Sequence, residues 1–448
     1  MQSHLSNAIG RTAKYISSLI NSYSLGILAS FSARVLGAGL SFLFSILLAR
    51  LLGPAETGIY FLALTIITIG ATIARLGMDN AVLKFASVAH DQGDTYTMAT
   101  LYRQGFLLVV MAGIGISILI GFVSPYLPLG GDNSGTLKMI LPIMLLVLMP
   151  LGLLFLQATF FTAIRAPGMA TITQGVLLPM FLVFGSSVLI LKGETNVYDI
   201  SLLYAISTVL SLLISGGIWI KLQQWSRQGH FDTRLLLRTS LPLLLVACLQ
   251  LLMSWTDILI LGAFSDSATV GVYGIAVRIA GLTTFVLLAV NSVTAPRFAA
   301  LYARDDRQGL QRLAQQSAAW MFIAVLPIIL LLLVFPGWIL QLFGSGFVAG
   351  ETPLRILAIG QLISVTFGSV GYLLIMTGHE RDLRNATLFS ATLNITLNLI
   401  LVPLWDGVGA ATSTMTSQII LTFIAYYLVR KRLGINTLLH FQLKPARA

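Results

Sequence analysis

The chain is short of charge for its length. Only 10% of its 448 residues are charged, whereas 56% are hydrophobic, and the mean hydropathy is +0.89. A soluble domain usually carries about 25% charged residues. The composition therefore excludes a soluble protein and predicts a membrane protein with many spans.

Cysteine is almost absent, and the motifs of several enzyme classes are missing. The single cysteine, Cys248, lies in an apolar run, so it forms no intramolecular disulfide and is interpreted as a small buried hydrophobe. The five histidines lack metal-ligand spacing. The chain contains no G-x-x-x-x-G-K-[ST], H-E-x-x-H or G-x-S-x-G motif. We expect no enzyme, metal or cofactor, and uphill transport would draw on an ion gradient, the membrane potential or coupled metabolism.

The amino terminus also lacks the apolar core and cleavage site of a signal peptide, so the first span is expected to be retained. Apolar runs long enough to cross about 30 Å of hydrocarbon as helix occur twelve times. The predicted spans are 25–49, 58–76, 105–123, 139–163, 171–191, 198–221, 239–263, 272–294, 317–335, 353–376, 386–404 and 408–429.

These spans predict two six-helix lobes, 25–221 and 239–429, joined by a cytoplasmic linker over 222–238. Residues 1–24 form a cytoplasmic amino-terminal segment, and residues 430–448 form a basic cytoplasmic tail. The stretches 77–104 and 297–316 are polar and are expected to lie along the inner surface as short helices.

The distribution of lysine and arginine predicts the orientation. With a cytoplasmic amino terminus, inner segments and the span ends that meet them hold 21 of these residues, and the outer loops hold three. Because positive residues are enriched on the cytoplasmic side, both termini are predicted to lie inside. The net charge of +11 is thus explained by topology, and no nucleic-acid partner is expected.

The segment 41–86 predicts a helical hairpin that recurs later in the chain. Its two apolar runs meet at a predicted tight turn, Gly53 to Gly58. A shift of 213 positions lays Gly58-Ile59-Tyr60 on Gly271-Val272-Tyr273 and Lys84-Phe85-Ala86 on Arg297-Phe298-Ala299. This predicts two structural repeats, a common architecture of secondary transporters.

Three basic residues, Arg34, Arg278 and Arg355, fall inside predicted spans, where an arginine costs about 2.5 to 3.5 kcal/mol. Arg34 either faces a hydrated cavity and meets an anionic substrate group, or extends along its helix towards the inner surface, or bonds to helix carbonyls. Arg355 is expected to form an exposed pair with Glu351.

Asp257 is the carboxylate that lies well inside a predicted span, at a depth similar to that of Arg278. One interpretation is a structural ion pair between the two. The alternative is a pair that opens during transport, with Asp257 coupling to a proton or a sodium ion.

At the inner end of the hairpin, Arg75 and Asp79 have the spacing of an i, i+4 ion pair. With Lys84 they form either a positive anchor or a cytoplasmic gate for an anionic headgroup. In the gate hypothesis, Lys84 and its repeat equivalent Arg297 flank one entrance.

Several motifs resemble those of bacterial polysaccharide biosynthesis transporters, the O-antigen and exopolysaccharide flippases. They extend from about Ser30 to Arg430, and Asp406 just before Gly407 departs from the pattern. The matching segments are 48–60, LARLLGPAETGIY; 76–81, LGMDNA; 353–360, PLRILAIG; Asn394 and Asn398; 401–404, LVPL; and 407–411, GVGAA.

The resemblance implies a fold similar to multidrug and toxin extruders, with two six-helix lobes around a central cavity. It also implies alternating access that moves an undecaprenyl-diphosphate-linked glycan to the outer leaflet of the bacterial inner membrane. Substrate-binding candidates are then Arg34, Arg278, Lys84, Arg297 and Arg75, and ion-coupling or gating candidates are Asp257 and Asp79. Membrane lipids and a glycan polymerase are candidate partners.

Two other functions remain open at this point. The first is a drug or cation antiporter on the same fold, which needs acidic side chains within the membrane. The second is a membrane glycan polymerase or ligase, which needs a larger outer loop than the short loops of this sequence.

Overall fold

The computed structural model describes residues 2–126, 130, 134–193, 195–222 and 231–438. Side chains are described from residue 31 onward, except at positions 246, 249, 250, 252 and 253. Residues 223–230 of the predicted linker and residues 439–448 of the basic tail lie outside the described residues.

The described part of the chain is helical, with short 3₁₀ turns at Ser124–Tyr126 and Ser345–Gly350. The helices are α1 (Gln2–Ala74), α2 (Met78–Asp91), α3 (Thr95–Val123), α4 (Ser134–Ala163), α5 (Pro167–Gly175), α6 (Leu177–Lys192), α7 (Val197–Leu222), α8 (Thr233–Phe264), α9 (Ser267–Ala280), α10 (Leu282–Ala303), α11 (Arg307–Val334), α12 (Pro336–Gln341), α13 (Glu351–Thr366), α14 (Val370–Met376) and α15 (Glu380–Leu433).

Among the described residues, eight helices are long and apolar enough to cross a membrane. The number is nine if the segments Ser345–Thr366 and Val370–Met376, which are bent by 45° relative to each other, form one span. Two of the eight contain a break, at Gly53 in α1 and at Asp406 in α15. The 54 residues of α15 would measure about 81 Å as one helix, so the break divides it into two spans. The protein is a polytopic all-α membrane protein.

The hairpin turn is tighter than the sequence predicts. The predicted six-residue turn is wrong in extent, because the break is confined to Gly53, with φ of 69° and ψ of 179°. Pro54 then begins the second half of α1, where its fixed φ suits the first helical turn and its missing N–H costs no intrahelical bond.

Helix boundaries recur at the spacing that the sequence repeat predicts. Helices α5 and α15 begin 213 residues apart, at Pro167 and Glu380, and α4 and α14 end 213 residues apart, at Ala163 and Met376. Left-handed backbone recurs as well, at Arg165 and Gly378 and again at Gly193 and Asp406. Several helix boundaries and backbone breaks therefore recur at the spacing of the sequence repeat.

A separate short helix forms in one of the two stretches for which it is predicted, and the position of that helix on the inner surface stays a prediction. Helix α2 is a separate short helix, as expected for the stretch 77–104. The prediction is wrong for 297–316, because Arg297 belongs to the continuous helix α10 and the residues from Arg307 belong to α11.

By internal contacts, the chain divides into two compact units that differ from its linear halves. The first unit contains 1–47, 66–125 and 140–248, and the second contains 48–65, 126–139 and 249–448. The second unit thus includes the residues around Gly53. The lobe boundaries 25–221 and 239–429 stay a prediction.

Each unit has an apolar core. In the first, Tyr102 stacks on Trp219 with ring centroids 5.2 Å apart, beside Phe160 and Phe161. In the second, Phe298, Leu310 and Phe367 belong to a cluster that continues into the last turns of α15.

Candidate functional site

Asp257 lies at the centre of a buried polar cluster within the second unit. One carboxylate oxygen accepts a hydrogen bond from the Nδ2 of Asn398 at 2.7 Å. The other accepts from the hydroxyl of Tyr273 at 2.9 Å and from the hydroxyl of Thr414. Three uncharged donors, from α9 and from both halves of α15, therefore hold a carboxylate that is only 9% exposed.

The cluster continues along α15. The amide of Asn398 also donates to the backbone and side-chain oxygens of Asn394, and Asn394 donates to the hydroxyl of Ser417 at 3.2 Å. The Oδ1 atom of Asn398 is buried and has no hydrogen-bond partner among the described residues. An unused oxygen beside a carboxylate suits a proton donor or a hard cation, since hard cations bind oxygen ligands.

Asp257 lies on α8, within the predicted span 239–263, but the sequence prediction missed its partners. Asn394 and Asn398 were noted as motif residues, and their i, i+4 spacing in an apolar run was the signal available. Tyr273 and Thr414 had no such signal.

Arg278 does not pair with Asp257, so the predicted structural ion pair is wrong. Its guanidinium lies over the ring of Phe61, 3.6 Å from the centroid, and donates to the carbonyl of Gly274 at 3.1 Å. Phe61 follows the break at Gly53, and the face of an aromatic ring attracts a planar cation. Arg278 therefore lies over a ring from the opposite repeat, inside the second unit.

The starts of two repeat-equivalent helices cross at Gly58 and Gly271. A Cβ atom added to Gly58 would lie 1.7 Å from the carbonyl oxygen of Ser267, and one added to Gly271 would lie 2.1 Å from that of Pro54. The contact is reciprocal, because 58 and 271, and 54 and 267, are each 213 positions apart. Glycine is required at both positions by close backbone approach.

Arg75 and Asp79 form the ion pair that their spacing predicts, with Nη1 and Oδ2 2.6 Å apart. Arg75 also donates to the hydroxyl of Thr72 at 3.0 Å and lies over the ring of Phe155, 4.9 Å from its centroid. The side chain of Arg75 is 13% exposed, so this pair is more shielded than a surface anchor. Glu351 and Arg355 form the expected exposed pair, at 3.1 Å.

The other predicted site residues have exposed side chains. Arg34 lies on α1 and Lys84 on α2, both in the first unit, and Arg297 lies on α10 in the second. None of the three takes part in an ion pair between described residues. Their approach to one cavity or entrance stays a prediction.

No group of three or more histidine, cysteine, aspartate or glutamate side chains is placed to hold a metal ion within the described ranges. The cluster around Asp257 contains one carboxylate together with amide and hydroxyl groups. Its chemistry is therefore that of a single carboxylate among neutral hydrogen-bonding groups.

Comparison with known proteins places this architecture in context. A family model described as "Polysaccharide biosynthesis protein" matches residues 25–302, and one described as "MatE" matches residues 242–400. The Probable low-salt glycan biosynthesis flippase Agl15 of Haloferax volcanii is 26% identical over 402 residues, covering 89% of this chain and 82% of that protein. The Probable flippase AglR of the same organism is 26% identical over 212 residues, covering 46% and 41%.

Solved structures share the fold at low sequence identity. An inward-facing multidrug resistance MATE family transporter of the MOP superfamily superimposes with a TM-score of 0.76 at 13% identity, covering 91% of this chain and 98% of that one. The Lipid II flippase MurJ, in an inward closed conformation, gives a TM-score of 0.72 at 13% identity, covering 91% and 87%. The fold is therefore MATE-like.

Proposed function

We propose that this chain, which belongs to the polysaccharide biosynthesis protein family, is a flippase for a lipid-linked oligosaccharide. Its cargo is an undecaprenyl-diphosphate-linked repeat unit of O-antigen, capsule or exopolysaccharide. It carries this unit from the inner to the outer leaflet of a bacterial cytoplasmic membrane by alternating access. Both termini lie in the cytoplasm, and a glycan polymerase is a candidate partner on the outer side.

The observation that carries this proposal is the distribution of charge inside the spans. Arg34 and Arg278 are cations at positions where an arginine costs about 2.5 to 3.5 kcal/mol, and the carboxylate of Asp257 is engaged by three neutral donors rather than by either of them. An anionic cargo is complementary in charge to these two cations. Guanidinium groups suit a diphosphate, because they bind phosphate oxygens in a bidentate manner.

The similarity to a known protein supports the same class of cargo. Agl15 is described as a glycan biosynthesis flippase, and its similarity covers 89% of this chain. A drug or cation antiporter would need acids that face its cargo, whereas Asp257 is buried among hydrogen-bond donors. We therefore favour the flippase over the antiporter.

Asp257 is the proposed coupling residue. Binding of a proton or a sodium ion would neutralise its carboxylate and compete with the donors on α9 and α15. Those helices would then change their packing, which gives the ion a differential affinity for two conformations. The unused Oδ1 of Asn398 is a further ligand for a sodium ion at this place.

At the inner side, Lys84 and Arg297 are proposed to recruit the diphosphate headgroup. Arg75 is proposed to receive it next, with Asp79 as the gate: the carboxylate holds the guanidinium until a diphosphate replaces it. Arg34 and Arg278 would hold the headgroup during transfer.

Deletion of the gene tests the proposed function in cells. We expect the undecaprenyl-linked glycan to accumulate on the inner leaflet and the surface glycan to disappear, with restoration by the wild-type gene. Normal surface glycan together with normal levels of lipid-linked intermediates would rule the flippase out.

Neutralising the span arginines is expected to impair transport without unfolding the protein. Arg34→Gln and Arg278→Gln should each lower flipping by about tenfold or more, since each removes a charge-assisted bond of about 1.5–3 kcal/mol to phosphate. Arg278→Lys should restore little, because an ammonium group cannot stack flat on Phe61 as guanidinium does. The measurement is the rate at which surface glycan recovers after induced expression.

Arg355→Gln is the matched control for these variants. It also neutralises an arginine in a predicted span, but this residue is 45% exposed and already paired with Glu351. A loss of flipping in this variant equal to that of Arg278→Gln would refute a specific role for Arg278.

A further inference from the structure

Asp406 adopts a backbone conformation that ordinarily requires glycine. It has φ of 47° and ψ of −128°, and it forms the corner between the two halves of α15. Its repeat equivalent, 213 positions earlier, is Gly193, with φ of 98° and ψ of −110°. A non-glycine residue in such a region costs about 1–3 kcal/mol and persists only where its surroundings hold it. The second repeat therefore accepts strain that the first avoids.

The side chain of Asp406 has a specific partner. The hydroxyl of Ser265 donates to its Oδ1 atom at 2.7 Å, immediately after α8 ends at Phe264. Helix α8 carries Asp257. The carboxylate thus links the corner of α15 to the end of the helix on which the buried charge lies.

The spacing of these residues is the same on all three helical segments. Ser265 lies eight residues after Asp257, Asp406 lies eight after Asn398, and Thr414 lies eight after Asp406. Eight residues of helix measure about 12 Å. The segments 257–265, 398–406 and 406–414 therefore have equal lengths, and each connects the Ser265–Asp406 contact with the Asp257 cluster.

The corner also contacts the third donor helix. Gly407 is buried, and a Cβ atom added to it would lie 3.8 Å from the Cβ of Tyr273, whose hydroxyl donates to Asp257. A shift at the corner would consequently reach Asn398, Thr414 and Tyr273 together.

We propose that Asp406 is a positioning residue for the Asp257 centre. Its hydrogen bond to Ser265 sets the alignment of both halves of α15 with α8, so that Asn398 and Thr414 approach the carboxylate from two sides. The strained backbone is tolerated because the carboxylate, which glycine lacks, makes this bond. The inference rests on the ion-coupling role proposed for Asp257.

The test compares ion binding by the wild type and by five variants of the full chain, all purified in detergent. Sodium chloride is the probe, and choline chloride is the sodium-free control. A pH titration is run in parallel, and the readout in both is the shift of the thermal unfolding midpoint. Tyr273 is the titratable side chain bonded to Asp257, and Asp257→Asn identifies the part of the response that belongs to this centre. A ligand that binds the folded state stabilises it by RT ln(1 + [L]/Kd), so fitting the rise of the midpoint with ion concentration reports the affinity.

Asp406→Gly and Ser265→Ala should both weaken sodium or proton binding by about tenfold, although the glycine variant relieves strain. Asp406→Asn, whose amide oxygen still accepts from Ser265, should stay within about threefold of the wild type. Asp305→Gly is the matched control, since Asp305 is another exposed aspartate with positive φ, 53°, on a different corner. It should leave ion binding unchanged.

The outcomes separate the two proposals. If Asp406→Gly and Ser265→Ala bind ions like the wild type, the positioning role is overturned and the coupling role of Asp257 survives. If Asp406→Asn is as weak as Asp406→Gly, the charge acts directly and the hydrogen-bond account is overturned. If sodium and pH shift the unfolding midpoint of the wild type no more than that of Asp257→Asn, the coupling role is overturned. The positioning role is then overturned as well.

Discussion

Replacing Gly58 by leucine is expected to prevent accumulation of the folded protein, and Gly271→Leu should do the same. At both positions the new Cβ would overlap a backbone carbonyl, of Ser267 at 1.7 Å and of Pro54 at 2.1 Å. Backbone cannot move aside as a flexible side chain can, so the two helix starts must separate. Overpacking typically costs 1–3 kcal/mol, and we expect about 3 kcal/mol here because two main chains are involved.

Yield of monodisperse protein and its unfolding temperature measure this effect. Gly39→Leu is the matched control, because Gly39 lies in the same helix and a Cβ there meets no atom within 4 Å. A Gly58→Leu variant that matches Gly39→Leu in yield and unfolding temperature would show that the crossing is looser than the structure has it.

Removing the charge of Asp257 is expected to abolish ion-driven flipping. Asp257→Asn keeps one acceptor oxygen and similar volume, so the protein should fold, but it can neither bind a proton nor attract a cation. We expect the rate of flipping to fall by about a hundredfold and its response to sodium or pH to vanish. Ionisable residues within membrane spans mark the paths of protons and ions.

Asp257→Leu adds a stability effect that separates charge from hydrogen bonding. It removes the acceptor that Tyr273, Asn398 and Thr414 share, and each lost hydrogen bond to a charged group costs about 1.5–3 kcal/mol. Tyr273→Phe removes one donor and keeps the charge, so it should lower stability slightly and retain the ion response. Full flipping by Asp257→Asn would exclude Asp257 from coupling.

The repeat and the spans could be predicted from the sequence, because they depend on local order. Apolar runs fix where a helix can cross, and a match such as Gly58 with Gly271 needs only an alignment of the chain with itself. The structural role of the two matched glycines could not be predicted. That role depends on tertiary structure, since each glycine packs against the first residues of a helix from the other repeat.

The site could be predicted in part. Asp257 and Arg278 were expected at similar depth, but depth does not determine which side of a helix faces which neighbour. Arg278 turned to Phe61, more than 200 positions away, and Asp257 to Asn398 and Thr414, more than 140 positions away. Such partners are set by tertiary packing, which no local pattern contains.

Asp406 illustrates the opposite situation. The sequence marked it as a departure from the family pattern without giving a reason. The reason lies in its backbone conformation and in Ser265, 141 positions earlier. A residue that is unfavourable for its local backbone conformation indicates a functional position when its side chain has a specific partner in the structure.

The most direct test of the central claim is flipping in proteoliposomes that contain the purified protein and an undecaprenyl-diphosphate-linked oligosaccharide. Glycans on the outer face are first removed with a membrane-impermeant glycosidase, and the reappearance of cleavable glycan is then followed under an imposed proton or sodium gradient. The account predicts rapid reappearance with the wild type and rates near those of protein-free vesicles with Asp257→Asn. Reappearance at the protein-free rate, together with export of a lipophilic cation by the same vesicles, would contradict it and identify an antiporter instead.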